Sequence, residues 1–280
     1  MIQTAASSGL AADFRRDGFV VVRGAVSLSR VGALTEALRL LIVARLRTLE
    51  IEADEALDLD EAFGRLEAAG EAHIGEIFRV IRETAELYNL ILDPDILGLV
   101  RALVPTRVLH VLPEAAALRV DRKVAAKRAF HWHHDYSYIT MSENGVTAWF
   151  PLVKMSPELG YLRVVPGSHK EITPVRFKEE FGRSGNFTGH NVYELYGVSG
   201  EELEPRSVDV EVDVGDVLII HGCLLHRSGH NQTPRGRWTI LGRYGDALEP
   251  ALVSRAWRTV RDNEGKRLFN ELHPELVHEG

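Results

Sequence analysis

The chain has 280 residues, 45% of them hydrophobic and 26% charged, with a formal net charge of -7. That length suits one large domain or two small ones, with enough material for a core that needs no disulfide or metal to hold it. The acidic balance argues against a general nucleic-acid binder, whose affinity rests on Lys and Arg meeting phosphates. One cysteine, Cys223, excludes an intrachain disulfide and fits a reducing compartment.

From the N-terminus, there is no basic start followed by an apolar run, so no secretory signal is expected. Phe19–Val22 (FVVV) follows Asp17-Gly18 and reads as a short β-branched strand. From residue 27 to residue 105 the pattern is helical. Ser27 or Ser29 is a candidate cap, and Leu34, Leu38, Leu41 and Leu46 recur at helical spacing. Further helices are expected over 61–67, 73–88 and 94–103, the last with Pro94 in its first turn. The acidic run over 50–61 reads as a solvated face or loop. The longest apolar stretch, LRLLIVARL, is too short to span a bilayer and carries Arg39 and Arg45. A cytoplasmic protein without an integral membrane segment is expected.

After Pro105 the signal turns to strands, expected over 116–120, 146–153, 162–165, 208–212, 217–221 and 237–244. Turn signals at Glu143-Asn144-Gly145, Pro166-Gly167-Ser168 and Gly215-Asp216 separate them. Short strands punctuated this way suggest a sandwich, barrel or jelly roll. Residues 182–200 read as a loop or lid, and 252–260 as a helix before a polar tail.

The segment FHWHHDYSY carries the first chemical signal. His133 and Asp135 are two apart, so on an extended strand both side chains would face one way. An imidazole and a carboxylate converging like this form two thirds of a facial triad. Its open face suits a bidentate cosubstrate and oxygen, as in non-haem iron(II) oxygenases. Alone, His-x-Asp is a weak motif among 12 histidines. A third ligand candidate, His226, comes 93 residues later and opens H-x-S-x-x-N-x-T-x-x-x-R. Arg237, eleven positions on, would sit on the following strand, where its planar fork suits the far carboxylate of 2-oxoglutarate. Ser228 would add a hydroxyl donor. His131 shares the parity of His133 and Asp135 and is a candidate substrate contact or supporting histidine. His221 and His230 read as structural.

Five segments together resemble the phytanoyl-CoA dioxygenase superfamily of iron(II)/2-oxoglutarate oxygenases. They are FRRDGFVVVRGAVS (14–27), WHHDYSY, VTAWFPL (146–152), GYLRVVPGSHK (160–170) and the His226-to-Arg237 segment, in that order. The resemblance implies a mainly β fold with α, a double-stranded β-helix (jelly-roll, cupin-like) core over 110–245 with the N-terminal helices packed outside. The whole of 1–280 is read as a single oxygenase domain. It implies His133, Asp135 and His226 as ligands of Fe(II), Arg237 on the 2-oxoglutarate cosubstrate, O2 as oxidant, and Trp149 close to the cosubstrate. His169 would support the Pro-Gly-Ser-His turn.

Two departures stand out. His134 replaces the glutamine usual between the ligands, and Glu158-Leu159-Gly160 replaces an Asn-Gly turn. The carboxylate at Asp135 argues against halogenation, since halogenating relatives lack it. Cyclisation, desaturation and epimerisation stay open beside hydroxylation. The run R-x-D at Arg119–Asp121, with WHHDYSYI and ENGVTAWFPL, resembles a bacterial branch that includes the Kdo hydroxylases. A small polar metabolite such as an anionic sugar is therefore the first expected substrate. Arg119 would meet it or make a structural ion pair. An acyl-CoA and a natural-product intermediate are the other substrate classes, and a cosubstrate-independent or non-catalytic cupin-type metal-binding protein is the alternative class.

Overall fold

The computed structural model describes residues 4–122, 131–177, 193–259 and 265–278. A helix absent from the sequence expectation comes first: α1 spans Thr4–Asp17. Its Ala- and Ser-rich sequence has little apolar periodicity. One large side chain, Phe14, is buried in the main core, so tertiary contact rather than pattern holds this helix. Gly18, at φ 84°, turns the chain into strand β1 (Phe19–Val22). A Cβ there would collide with the His169 ring, so both the backbone angle and the space require glycine.

The 27–105 region forms five α-helices. In α2 (Leu28–Thr48), Val31, Leu34, Leu38, Ile42 and Leu46 are buried along one stripe, as the period demands. Helix α3 (Leu59–Ala69) is capped by Asp58, whose side chain accepts from Glu61 N. The stretch expected as one helix over 73–88 is broken. Helix α4 (Glu71–Val80) ends in a tight turn at Ile81–Glu83, and Thr84 caps a fresh helix, α5 (Ala85–Ile91). Asp93 caps α6 (Pro94–Leu103), with Pro94 in the first turn. The acidic run over 50–61 is more than a solvated loop. Within it Ala53 and Leu57 are buried, and Asp60 Oδ1 accepts from Gly236 N at 2.9 Å and Trp238 Nε1 at 2.8 Å.

The remaining elements are β2 (Leu109–Val111), β3 (Ala117–Asp121), α7 (Tyr136–Ile139), β4 (Val146–Pro151), β5 (Leu162–Val164) and β6 (Val175–Phe177). They continue with β7 (Tyr193–Leu195), α8 (Gly200–Leu203), β8 (Val208–Val210), β9 (Val217–His221), β10 (His226–Ser228) and β11 (Arg237–Asp246). Last come α9 (Pro250–Ser254), α10 (Gly265–Leu272) and β12 (Val277–His278). Of the loop expected over 182–200, residues 182–192 lie outside the described residues, whereas 193–195 pair in a sheet. The helix expected over 252–260 ends at Ser254, where Ala256 and Trp257 take positive φ. The tail beyond it is no mere polar extension, because Phe269 of α10 is fully buried against Tyr136.

The large antiparallel sheet runs β1-β9-β4-β11, and the far edge of β11 pairs with β3 at its start and β2 at its end. A smaller sheet, β10-β5-β8, lies across from it, and β12-β6-β7 forms a third. Alternation divides the large sheet. Val146, Ala148, Phe150, Val217, Ile219, Trp238, Ile240 and Tyr244 share one core with the helices. Trp149, Leu218 and Ile220 face the other way and pack on Leu162, Val164 and Val210 of the small sheet. The helical region therefore covers the outer face of the β sandwich. Each fully buried aliphatic there contributes about 1.5–3 kcal/mol.

Candidate metal and cosubstrate site

His133 and His226 are brought together by backbone pairing. Each donates its N–H to the other's carbonyl, at 3.0 and 2.9 Å, in an isolated antiparallel bridge. The two rings lie 4.2 Å apart between centroids. Asp135 joins them by a different route from the one expected. Its φ of -64° and ψ of -28° are helical, and it opens α7. Strand alternation therefore stops after His133, and a turn swings the carboxylate into the same space. His131 is affected as well. Its side chain is exposed and lies off the cavity, while its carbonyl accepts from His133 Nδ1 at 2.7 Å. His134 points away and is fully buried, with Nε2 on the Thr173 carbonyl and Nδ1 accepting from Ser137 N.

One ligand atom each from His133, Asp135 and His226 lie within 4.8 Å of one another, and all three residues are buried. Nε2 of each histidine is 3.9 Å from Asp135 Oδ1. His226 Nδ1 is held by the Leu224 carbonyl at 2.8 Å, matching the tether on His133. Such second bonds set the tautomer and aim Nε2 inward, as metal-ligating histidines require. Burial pushes both histidines below the usual range, so both are neutral donors near pH 7. Burial opposes ionisation of Asp135. The Arg243 guanidinium, then His226 and His133, and the hydrogen bond from Thr147 outweigh it and hold the carboxyl well below its ordinary value. Thr147 Oγ1 donates to Asp135 Oδ2 at 2.6 Å and Arg243 Nη2 lies 3.4 Å from the same oxygen, leaving Oδ1 toward the histidines. Two neutral imidazoles and one carboxylate are a donor set that fits iron(II).

Behind these ligands is a cavity of about 50 Å³, lined by Arg119, Thr147, Trp149, Leu162, Ile220, Ser228, Arg237, Leu241 and Arg243 as well as the three ligands. Arg237 is 1% exposed. Its Nη2 donates to Asp121 Oδ2 at 2.8 Å, its Nη1 to the Gly160 carbonyl, and its Nε has no partner among the described residues. The fork expected to be open is thus largely engaged within the protein. Arg119 Nη2 donates to Asp121 Oδ1 at 2.8 Å and to Ser228 Oγ at 3.3 Å. Arg119 accordingly makes an ion pair and also lines the cavity. Burial again opposes the charge on Asp121, and Arg119 with Arg237 outweighs it to keep the carboxyl ionised. Trp149 is buried and lines the cavity.

The Glu158-Leu159-Gly160 turn bears on the site, because Gly160, at φ 83°, presents the carbonyl that receives Arg237. The His169 ring lies tilted against that of His221, 5.0 Å between centroids and outside the cavity lining, in the turn whose Ser168 Oγ accepts from Leu225 N. His221 Nδ1 accepts from Cys223 N, and His230 is exposed. Sequence reasoning passed over Thr147, the contact of Asp121 with Arg237 and the role of Arg243. The signal was present in parity: Arg237, Leu241 and Arg243 share one face of β11, Thr147 shares that of Trp149, and Asp121 that of Arg119.

The family profile "Phytanoyl-CoA dioxygenase (PhyH)" matches residues 14–239. The 1-deoxypentalenic acid 11-beta-hydroxylase of Streptomyces exfoliatus is 31% identical over 99 residues, 34% of this chain and 32% of that protein. A probable phytanoyl-CoA dioxygenase of Caenorhabditis elegans is 25% identical over 124 residues, 44% and 38% of the two chains. The matches span about a third of the length of these curated relatives. Among solved structures, the epimerase SnoN in complex with Fe3+, alpha ketoglutarate and nogalamycin RO superposes with a TM-score of 0.57 at 22% identity, covering 88% of this chain and 85% of that one. EctD from S. alaskensis with bound Fe gives 0.57 at 20% identity, covering 88% and 77%. These likenesses establish the fold as a double-stranded β-helix with helices outside it. Among the described residues, no helix is long and apolar enough to cross a membrane.

Proposed function

This chain belongs to the phytanoyl-CoA dioxygenase family, and from that premise we propose that it is an iron(II)- and 2-oxoglutarate-dependent dioxygenase that hydroxylates a small polar metabolite. The observation that carries the reading is the convergence of His133, Asp135 and His226, with both imidazoles tethered at Nδ1. His133 Nε2, His226 Nε2 and Asp135 Oδ1 would hold the metal. Arg237 and Ser228 would receive the far carboxylate of the cosubstrate, with Trp149 along its flank. Bound iron(II), with 2-oxoglutarate and O2, would supply an oxidation that yields succinate, carbon dioxide and a hydroxylated product.

In this reading the protein's own contribution is positioning and exclusion of water. The two backbone carbonyls fix the imidazoles, Thr147 and Arg243 fix the carboxylate, and Leu162, Ile220 and Leu241 close the cavity with apolar surface. We take residues 1–280 as one catalytic unit, supported by the core that the helices share with the large sheet. The natural-product class of substrate draws support from the Streptomyces hydroxylase, and the sugar class from the R-x-D and WHHDYSYI run.

One observation favours a second reading, a cosubstrate-independent cupin-type metal protein: Asp121 and the Gly160 carbonyl already engage the Arg237 fork. A single experiment separates the two. Iron(II) and then 2-oxoglutarate are added to the anaerobic apoprotein, and the visible charge-transfer band of a chelated keto acid is followed. The oxygenase reading expects a band in the wild type, its loss in His226→Ala and its weakening in Arg237→Ala. A fully metallated wild type without the band would move the second reading to the front.

A further inference from the structure

We infer that Arg243 is an anion-binding group of the substrate site and that the substrate presents a carboxylate to it. The inference rests on the iron(II)/2-oxoglutarate reading above and names the substrate class of that same cavity. Arg243 is 5% exposed and lines the cavity beside the metal ligands. Its Nη2 lies 3.4 Å from Asp135 Oδ2, while its Nε and Nη1 have no hydrogen-bond partner among the described residues. A buried donor left without an acceptor is costly, and more so when charged. Such a group facing a cavity is therefore poised for an acceptor that arrives from the cavity.

The charges at the two ends say which acceptor. At the far end Arg119 and Arg237 face Asp121, leaving one positive unit that the distal carboxylate of the cosubstrate would balance. At the metal end Arg243 faces Asp135 beside the two histidines, which coordinate a metal only as neutral imidazoles. A divalent metal adds two positive units there, and the chelating carboxylate of the cosubstrate removes one. Asp135 cannot neutralise both the metal and Arg243, so one positive unit remains beside the guanidinium. A monoanionic carboxylate matches that remainder, whereas a phosphate monoester overshoots it. A guanidinium is also a natural partner for carboxylate oxygens.

The test uses the anaerobic protein loaded with iron(II) and 2-oxoglutarate. Acetate, propionate and butyrate are titrated in, each beside its neutral amide, and inorganic phosphate is added as a separate arm. The charge-transfer band and the melting temperature report binding without turnover. Each acid is expected to bind at least tenfold more tightly than its amide. In Arg243→Met that preference should fall to within about twofold, in Arg243→Lys part of it should remain, and in Thr147→Val it should persist. The last variant also strips a hydrogen bond from Asp135 but leaves the guanidinium in place, which separates direct binding from a displaced carboxylate. Equal binding of acids and amides, or a preference that survives Arg243→Met, would overturn the inference. Tighter binding of phosphate than of any acid would overturn the carboxylate assignment. A band that never forms defeats the oxygenase reading itself, whereas a normal band with no acid preference defeats the subsite alone.

Discussion

The two faces of the large sheet are built from the same strands and do opposite work. Toward the helices, β4, β9 and β11 present Val146, Ala148, Phe150, Val217, Ile219, Trp238, Ile240 and Tyr244, all within one apolar core. Toward the small sheet the intervening residues include Thr147, Trp149, Arg237, Leu241 and Arg243, which line a charged cavity. One residue step along a strand thus separates stability from chemistry. On the outer face the polar atoms that are buried are hydrogen-bonded to the helical region, Trp238 Nε1 to Asp60 and Tyr244 OH to the Ile91 carbonyl, whereas the inner face buries two arginines. Substitutions on the two faces should therefore fail in different ways.

The largest effect is expected on the inner side, at the ligands. Asp135→Ala should lower iron(II) affinity by more than about a hundredfold, beyond the 10–100-fold typical of supporting groups. Asp135 is also the counter-charge of buried Arg243, so the metal-free urea midpoint of this variant should fall too, whereas His226→Ala should lose metal binding with a far smaller change in that midpoint. Metal titration and urea denaturation, run on the same preparation, would break the comparison if both moved together in His226→Ala. On the outer face, Phe150→Ala should cost about 3–5 kcal/mol of unfolding free energy, since it opens a cavity between sheet and helices. The iron(II)–2-oxoglutarate band of that variant should keep its wavelength, and a displaced band would mean that the faces are coupled.

Smaller again is Thr147→Val, nearly isosteric and on the inner face. Losing its 2.6 Å bond to Asp135 Oδ2 should weaken metal binding about 10–100-fold, measured by competition with a chromogenic chelator. The pH response sharpens the contrast through His134. Burial lowers its pKa to about 4, from the usual 6.5 of a histidine. A histidine with a depressed folded pKa stabilises fully above the unfolded value, and that contribution is lost as pH falls from about 6.5 through 4. The urea midpoint of the metal-free protein should thus fall between pH 7 and pH 5. His134→Gln should flatten that fall, and an unchanged slope would remove His134 from the account. The smallest effect belongs to the exposed pair Arg65–Glu61, one helical turn apart on α3. Arg65→Ala should move stability by no more than about 0.5 kcal/mol, with no change in metal binding.

Much of this division was legible in the residues. RWTILGRYGD and VTAWFP alternate, so their parity could be read before any fold was known, and the leucine stripe of α2 could be read from its period. His133, Asp135, His226 and Arg237 stood out by motif. The weak points were elements whose order comes from partners: α1 has little pattern of its own, and α10 is held by Phe269 packing on Tyr136. Asp135 was chosen for a wrong local reason, since its place at the start of α7 and not strand alternation turns it inward.

By itself the sequence determined which side chains share a face, because side-chain direction follows from local backbone geometry two or four residues at a time. It determined the ligand types and the order of the motifs as well. The tertiary structure alone decided that His133 meets His226 across 93 residues through a reciprocal backbone bridge, and that Asp121 occupies the fork of Arg237. It also decided that Arg243 ends beside Asp135 with two nitrogens unpaired among the described residues. These are contacts between distant segments, set by how two sheets close on each other, and no local pattern encodes the closure.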